Sequence, residues 1–523
     1  MAIDVYAGTF GSKEITHLLK RCLFGVKRAE INSFLGQSVS IVVDTLLQDT
    51  SLPNPPVNNY NDTSYTDPGI LRGQTWVTAP FGDGTANSRR ITSLKSWWIL
   101  QMLNQSTSLR EKMVLFWHNH FATEADVIGD ARYLYKHNNL LRTSAFGNFK
   151  TLIKQITLDP AMLRYLNGYL NTKTAPDENY GRELQELFTL GKGPNSNYTE
   201  NDVKAAAKLL TGYRLDATAI NSFFDSTKHD TTDKQFSSFY GNKIIKGRTG
   251  VDGAKELDDL IDMIFAQQEV SLHLCRNLYR FFVYYEIDAT VELQVIVPLA
   301  EILRNNNYEI KPVLKALFTS NHFFLPQTRS CHIKAPIDFM VGLCREYELV
   351  FPPETDIENY YFMGDYLRST AATIQQNLAD PPNVSGWEAY YQAPQFYEIW
   401  INSDTLPKRN AFTDRMINTG YTRNGKKLMI DAVAYTNQFT KPEDPNLLIN
   451  DALAHLYTID VSTETKNFLK SILLSNQTQD YYWTDAWNSY KMDPGNTGRL
   501  TIVSTRLKQF YKYIMNLEEY QLS

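Results

Sequence analysis

The segment Ser108-Leu-Arg-Glu-Lys-Met-Val-Leu-Phe-Trp-His-Asn-His-Phe121 sets charged and imidazole side chains into a run that is otherwise apolar at helical spacing. Glu178-Asn-Tyr-Gly-Arg-Glu-Leu-Gln-Glu-Leu-Phe-Thr-Leu-Gly191 does the same with two glutamates and an arginine. Burying such groups without partners is costly. The pattern therefore predicts a fold built around a buried polar cluster, with apolar helices surrounding it.

In the first segment, Ser108 and Glu111 fit a capping box that starts the helix. At about 100° per residue, Leu109, Met113, Phe116 and His120 share one face, with His118 about 160° away from His120. The two histidines cannot grip one metal from a regular helix; they serve different partners, or the helix ends by 118. The plainest role for His120 is a core histidine bonded to a backbone carbonyl. In the second segment Pro176 and Asp177 supply start signals and Gly191 the stop. Tyr180, Leu184, Leu187 and Phe188 face a core, and one histidine of the 118/120 pair is expected to touch this helix. Glu183 and Glu186, three apart, are neighbours on one face. They are solvated, paired with cations, or share a metal or a proton. Arg182 can bridge Glu178 and Glu186, which makes a plain ion-pair ladder.

The candidates for acid–base chemistry are thus His118, His120, Arg182, Glu183 and Glu186, joined by His229 and Asp230. A His-Asp pair on an irregular segment suits a ligand or base, although surface residues without a role are the default there. His118, His120, Glu183 and Glu186 are the metal candidates, and a divalent ion is the cofactor they would hold. Thr199 and Asp202 cap a further helix. Pro381-Pro-Asn-Val-Ser-Gly-Trp387 is a rigid turn leading into an aromatic stretch. Trp387, Tyr390, Tyr391 and Trp400 are candidates for stacking on a sugar or peptide partner; the alternative is a loop plugged onto the helical body.

Helical periodicity dominates the rest, so the expected class is all-α with long irregular loops and at most a short β-hairpin near 220–250. The expected division is N-terminal helices over 1–50, a long loop over 51–90, a helical core over 91–330 and a C-terminal helical region over 331–523 with an aromatic loop at 378–410. Residues 350–365 also read as irregular. Lys and Arg total 52 against 57 Asp and Glu, which argues against a dedicated nucleic-acid binder. Cys22, Cys275, Cys331 and Cys344 show no CxxC spacing and read as buried free thiols. No stretch is apolar enough to span a membrane. No basic region followed by an apolar run is visible at the N-terminus, so a cytoplasmic location is expected on that ground. GxSxG, Walker A, HExxH and GxGxxG signatures are missing.

The chain resembles the bacterial domain of unknown function 1800 family. The resemblance runs through His17-Leu-Leu-Lys-Arg-Cys-Leu-Phe-Gly25, Phe116-Trp-His-Asn-His-Phe121, Asp159-Pro-Ala-Met-Leu163, the 178–191 motif, Tyr198-Thr-Glu-Asn-Asp-Val203, Thr211-Gly-Tyr213, His229-Asp230, Lys334-Ala-Pro336 and Pro381–Trp387. Gly181 and Tyr213 stand where many members have Ala and Trp. The resemblance implies a large, mainly helical bacterial protein, often exported, with no established activity to carry over. By analogy it implies a partner resembling sulfatases and phosphatases. Three readings follow: an accessory or binding protein, an acid–base or metal-dependent enzyme of hydrolase type, and a structural subunit of an assembly.

Overall fold

The computed structural model describes residues 2–387 and 397–523. It is mainly helical, and the strands among the described residues form three two-stranded hairpins. Two lie at 213–224 and 234–245, and the third pairs Tyr421–Arg423 with Lys426–Leu428. The expectation of at most one short hairpin near 220–250 is exceeded twice: two hairpins occupy that region and the third lies far outside it. Its turn is Asn424-Gly425, both at positive φ, the residue pair that favours a two-residue hairpin turn.

The central helix, Arg110–His120, is buried at every position. It runs beside the Ala131–Thr143 helix and below the Gly84–Asn104 helix, and the latter packs extensively on Ile357–Thr373. That last helix replaces much of the expected irregular stretch at 350–365. Its aromatic run, Tyr360 and Tyr361 with Met363 and Leu367, forms a buried stripe, so tertiary packing outweighs the modest helix propensity of aromatics. Gly364 lets it close on its partner: a Cβ there would meet Leu100 Cγ and the Ser96 carbonyl at 2.9 Å. The 84–104 helix also starts inside the expected loop. Asp83 caps it by accepting from Ala86 N. The loop before it is strapped down by buried Arg90, which pairs with Asp67 at 2.8 Å and donates to the carbonyls of Pro80 and Phe81. The Tyr481–Met492 helix, not anticipated, buries Trp483 and Trp487.

Segments distant in sequence are joined around the Ser12–Cys22 helix. His17 lies 3.0 Å from the Phe323 carbonyl, and Lys20 pairs with Glu346 at 2.6 Å and donates to Leu456 O at 2.8 Å. Just beyond that helix, Gly25 touches Gly342 of the Pro336–Glu346 helix, so that a Cβ would lie 2.5 Å from Gly342 Cα. Gly25 also has φ +69. Both the conformation and the contact require glycine. The four cysteines are free, and Cys331 is only half-buried. Among the described residues, no helix is long and apolar enough to cross a membrane.

Gly25→Ala is expected to destabilise the protein by about 2–4 kcal/mol through the positive φ and the backbone clash. Urea denaturation measures this; a midpoint equal to wild type would show that the close approach is not required.

Candidate functional site at the central helix

Five of the six polar side chains of the central helix, all but His118, are met by different parts of the chain. Arg110 donates to Thr50 O at 2.8 Å. Glu111 accepts from Arg142 Nε at 2.7 Å and Nη2 at 2.9 Å. The expected capping box is only half present: Ser108 Oγ accepts from Arg110 N at 3.3 Å, but Glu111 does not reach back, because it is held by a buried, bidentate guanidinium. Lys112 pairs with Asp338. Asn119 Oδ1 accepts from Trp387 N at 2.8 Å.

That last bond explains the 381–387 motif. Asn383 Oδ1 accepts from the Ser385 N–H and hydroxyl, which tightens the turn. Gly386 then approaches the central helix so closely that a Cβ would lie 2.3 Å from Asn119 Oδ1. Trp387 follows and is buried against His118, ring centroids 5.6 Å apart. Trp98 closes the other side of His118 at 5.2 Å. Below the motif, Asp380 pairs with Lys95 and accepts from Asp126 N at 3.2 Å. Trp387 and Trp400, two of the expected stacking residues, are both buried, at 3% and 1% exposure. The loop plugs onto the body at these positions. Tyr390 and Tyr391 lie outside the described residues.

The two histidines serve different partners. His120 Nε2 lies 3.1 Å from the Phe188 carbonyl, in the turn after the Asn179–Glu186 helix. This is the contact expected between the two motifs, and it ties them together. Beside it, His273 Nε2 meets the Leu187 carbonyl at 3.0 Å. His118, by contrast, has a buried Nε2 with no hydrogen-bond partner among the described residues. Burial pushes its imidazolium down to about 3, helped by His137 and Lys95 nearby. His120 falls to about 3 by burial and by His273.

His137 is the neighbour that sequence reasoning passed over. Its Nδ1 lies 3.0 Å from Asp159 Oδ2, with both side chains buried. A carboxylate only accepts, so Nδ1 carries a proton, which in the neutral tautomer leaves the lone pair on Nε2. That Nε2 is also buried and unpartnered, as are Trp98 Nε1 and Thr123 Oγ1 around the same end of the helix. Asp159 also caps the Pro160–Tyr165 helix, accepting from Met162 N at 3.0 Å. The same oxygen holding a histidine from another helix leaves no local signal.

The remaining candidates separate. Arg182 pairs with Glu200 at 2.7 Å and Glu178 at 3.4 Å, while Glu186 pairs with Lys192 at 2.5 Å, so the expected ladder is rerouted. Glu183 is half-buried, with Oε2 unpartnered. Burial first, then the Glu186 charge, holds its carboxyl above the ordinary range. His229 is buried rather than superficial. Its Nδ1 lies 2.9 Å from Thr211 O and its Nε2 3.1 Å from Glu256. Glu256 also takes buried Lys234 at 2.7 Å. Asp230 is largely buried as well: it accepts from the Thr232 N–H and hydroxyl and lies 3.9 Å from Lys234 Nζ. Among the described residues, no group of three or more His, Cys, Asp or Glu side chains is arranged to hold a metal ion. His118, His120, Glu183 and Glu186 do not form such a set.

His118, His120 and His273 all titrate below the free-histidine value of 6.5 in the folded protein, His273 at about 4. The unfolded chain therefore binds more protons between about pH 4 and 6.5, and stability falls as pH drops through that window. The loss is at most about 1.4 kcal/mol per pH unit for each histidine. Urea midpoints at pH 7.5, 6 and 5 should descend in that order; a flat series would show that these rings are not buried in neutral form.

No curated protein and no solved structure matches the chain. A family profile does, over residues 17–522. That span takes in both motifs of the central site and the loop that closes it, and the chain belongs to the family described as protein of unknown function (DUF1800).

Proposed function

We propose that the protein is an acid–base catalyst of hydrolase type, with His137 as the base. One observation carries this reading: Asp159 holds His137 Nδ1 at 3.0 Å, and the Nε2 of that ring is buried with no partner. A carboxylate that fixes the tautomer of a histidine and leaves its second nitrogen open is the arrangement a general base needs. His118 supplies a second open nitrogen, kept neutral by its tryptophan walls. Glu183 has its carboxyl raised above the ordinary range by burial and by the Glu186 charge, which favours its protonated form relative to a free glutamate. Three histidine and glutamate side chains with a buried, unpartnered atom, His118, His137 and Glu183, are each able to exchange a proton. An accessory role beside a sulfatase- or phosphatase-like partner rests on the family resemblance. The aromatic loop that suggested a binding face supplies buried packing at Trp387 and Trp400.

The test pairs spectroscopy with turnover. Nitrogen-15 NMR at pH 7 should find the His137 proton on Nδ1. A panel of chromogenic acyl, phosphoryl and sulfuryl esters should include one that the protein turns over, and His137→Gln should slow it about 10²–10⁴-fold. Asp159→Asn should slow the same ester while leaving its KM near wild type. A His137 ring protonated at Nε2, together with no turnover of any ester, would end this reading.

A further inference from the structure

We infer that the protein binds a small dianion, of the sulfate or hydrogen phosphate type, in a narrow pocket between the 12–22 helix, the 336–346 helix and the start of the central helix. This site is independent of the imidazole centre. The charged side chains on its walls are Lys20, Arg21, Lys112, Lys334, Asp338 and Glu346. Trp400, expected from the sequence to bind a partner, forms part of the wall, and Ser523 borders the space. About 40 Å³ is open to the centre of a water-sized molecule. One water needs roughly 10–15 Å³ by that measure, so the space suits about three waters or one tetrahedral oxyanion. It does not suit a nucleotide or a sugar.

Charge selects among small ligands. Two of the four cations are matched inside the cavity: Lys20 by Glu346 at 2.6 Å, and Lys112 by Asp338. The other two are not matched among the described residues. Arg21 has no carboxylate within ion-pair distance; its Nη2 donates to Thr328 O at 2.8 Å, and its buried Nε has no partner. Lys334 has no carboxylate within ion-pair distance and no side-chain hydrogen-bond acceptor among the described residues; Glu346 and Asp338 act on it only from farther off, and its Nζ rests 4.2 Å over the Tyr520 ring. Arg21 is 4% exposed and Lys334 is 7% exposed. Burial pushes the Lys334 ammonium down to about 8, so it still carries its charge at neutral pH. Unmatched buried cations destabilise a fold unless something answers them. Two such cations facing one small space call for one anion of charge −2, and tetrahedral oxyanions accept from both ammonium and guanidinium donors.

Calorimetric titration at pH 7 with sodium sulfate and sodium phosphate, against chloride and acetate at matched ionic strength, tests this. Wild type should bind one sulfate or phosphate saturably at low millimolar concentration or below, with neither monoanion competing. Phenyl phosphate, a monoester that is still largely dianionic near pH 7, distinguishes the source: it binds comparably if the cavity takes the end of an ester, and at least tenfold more weakly if it takes the free ion. Lys334→Met should weaken binding at least tenfold. Its melting temperature without anion should equal or exceed that of wild type, because an unanswered charge has been removed. Arg21→Met provides a second variant with the same expected loss of binding. The inference is overturned if wild type binds neither dianion, or if both variants bind as wild type does. It is also overturned if Lys334→Met melts lower while its response to sulfate is unchanged, which would make the lysine a structural element only.

Discussion

Eleven consecutive residues, Arg110–His120, are withdrawn from water, and six of them carry charged, amide or imidazole groups. A helix of this kind cannot be stabilised by an apolar stripe alone. Five of the six are answered, by Thr50, Arg142, Asp338, Trp387 and Phe188, and the sixth, His118, is kept uncharged between two tryptophans. The surrounding architecture follows from that requirement. Removing one member of a buried charge pair such as Glu111 and Arg142 leaves the other uncompensated, at a cost of about 3–5 kcal/mol. The pairs thus fix which neighbour docks where, while the apolar residues between them supply the bulk of the burial free energy.

The helix also divides the chemistry of the molecule. Near its first turn, Lys112 and Asp338 stand on the wall of the cationic cavity. At its other end, His118 sits between two tryptophans with its Nε2 open. Trp387 reaches that position because Gly386 has no side chain and Asn119 has an oxygen to offer its backbone. The tryptophan in turn helps exclude water from the imidazole. Loop geometry, packing and protonation state are links of one chain of cause.

What could be read from the sequence depended on distance along it. Local devices were legible. Thr199 and Asp202 form the reciprocal cap that their spacing implies, and Asp202 is further used to accept from Ser237. The helical class and the contact between the two motifs were legible for the same reason. Glu111 misled, because a cap signal describes only what a glutamate can do locally, and Arg142 made a better offer. The Asn424-Gly425 turn was available and went unread. His229 looked superficial because its partner, Glu256, stands 27 positions on. The pairing of His137 with Asp159, and that of Lys20 with Glu346, join elements that periodicity treats separately. No local pattern records them.

The Lys20 ammonium has a temporal consequence. Its acceptors are Glu346 and the Leu456 carbonyl, the latter 436 residues downstream. At a synthesis speed of roughly 5–20 residues per second, the ribosome takes on the order of 20–90 s to deliver that carbonyl after Lys20 has been made. Through that interval the Ser12–Cys22 helix, with eight of its residues buried in the finished fold, has no complete seat. A nascent chain of this design depends on a holdase, or on reversible shelter among its own early helices, until its last third has emerged.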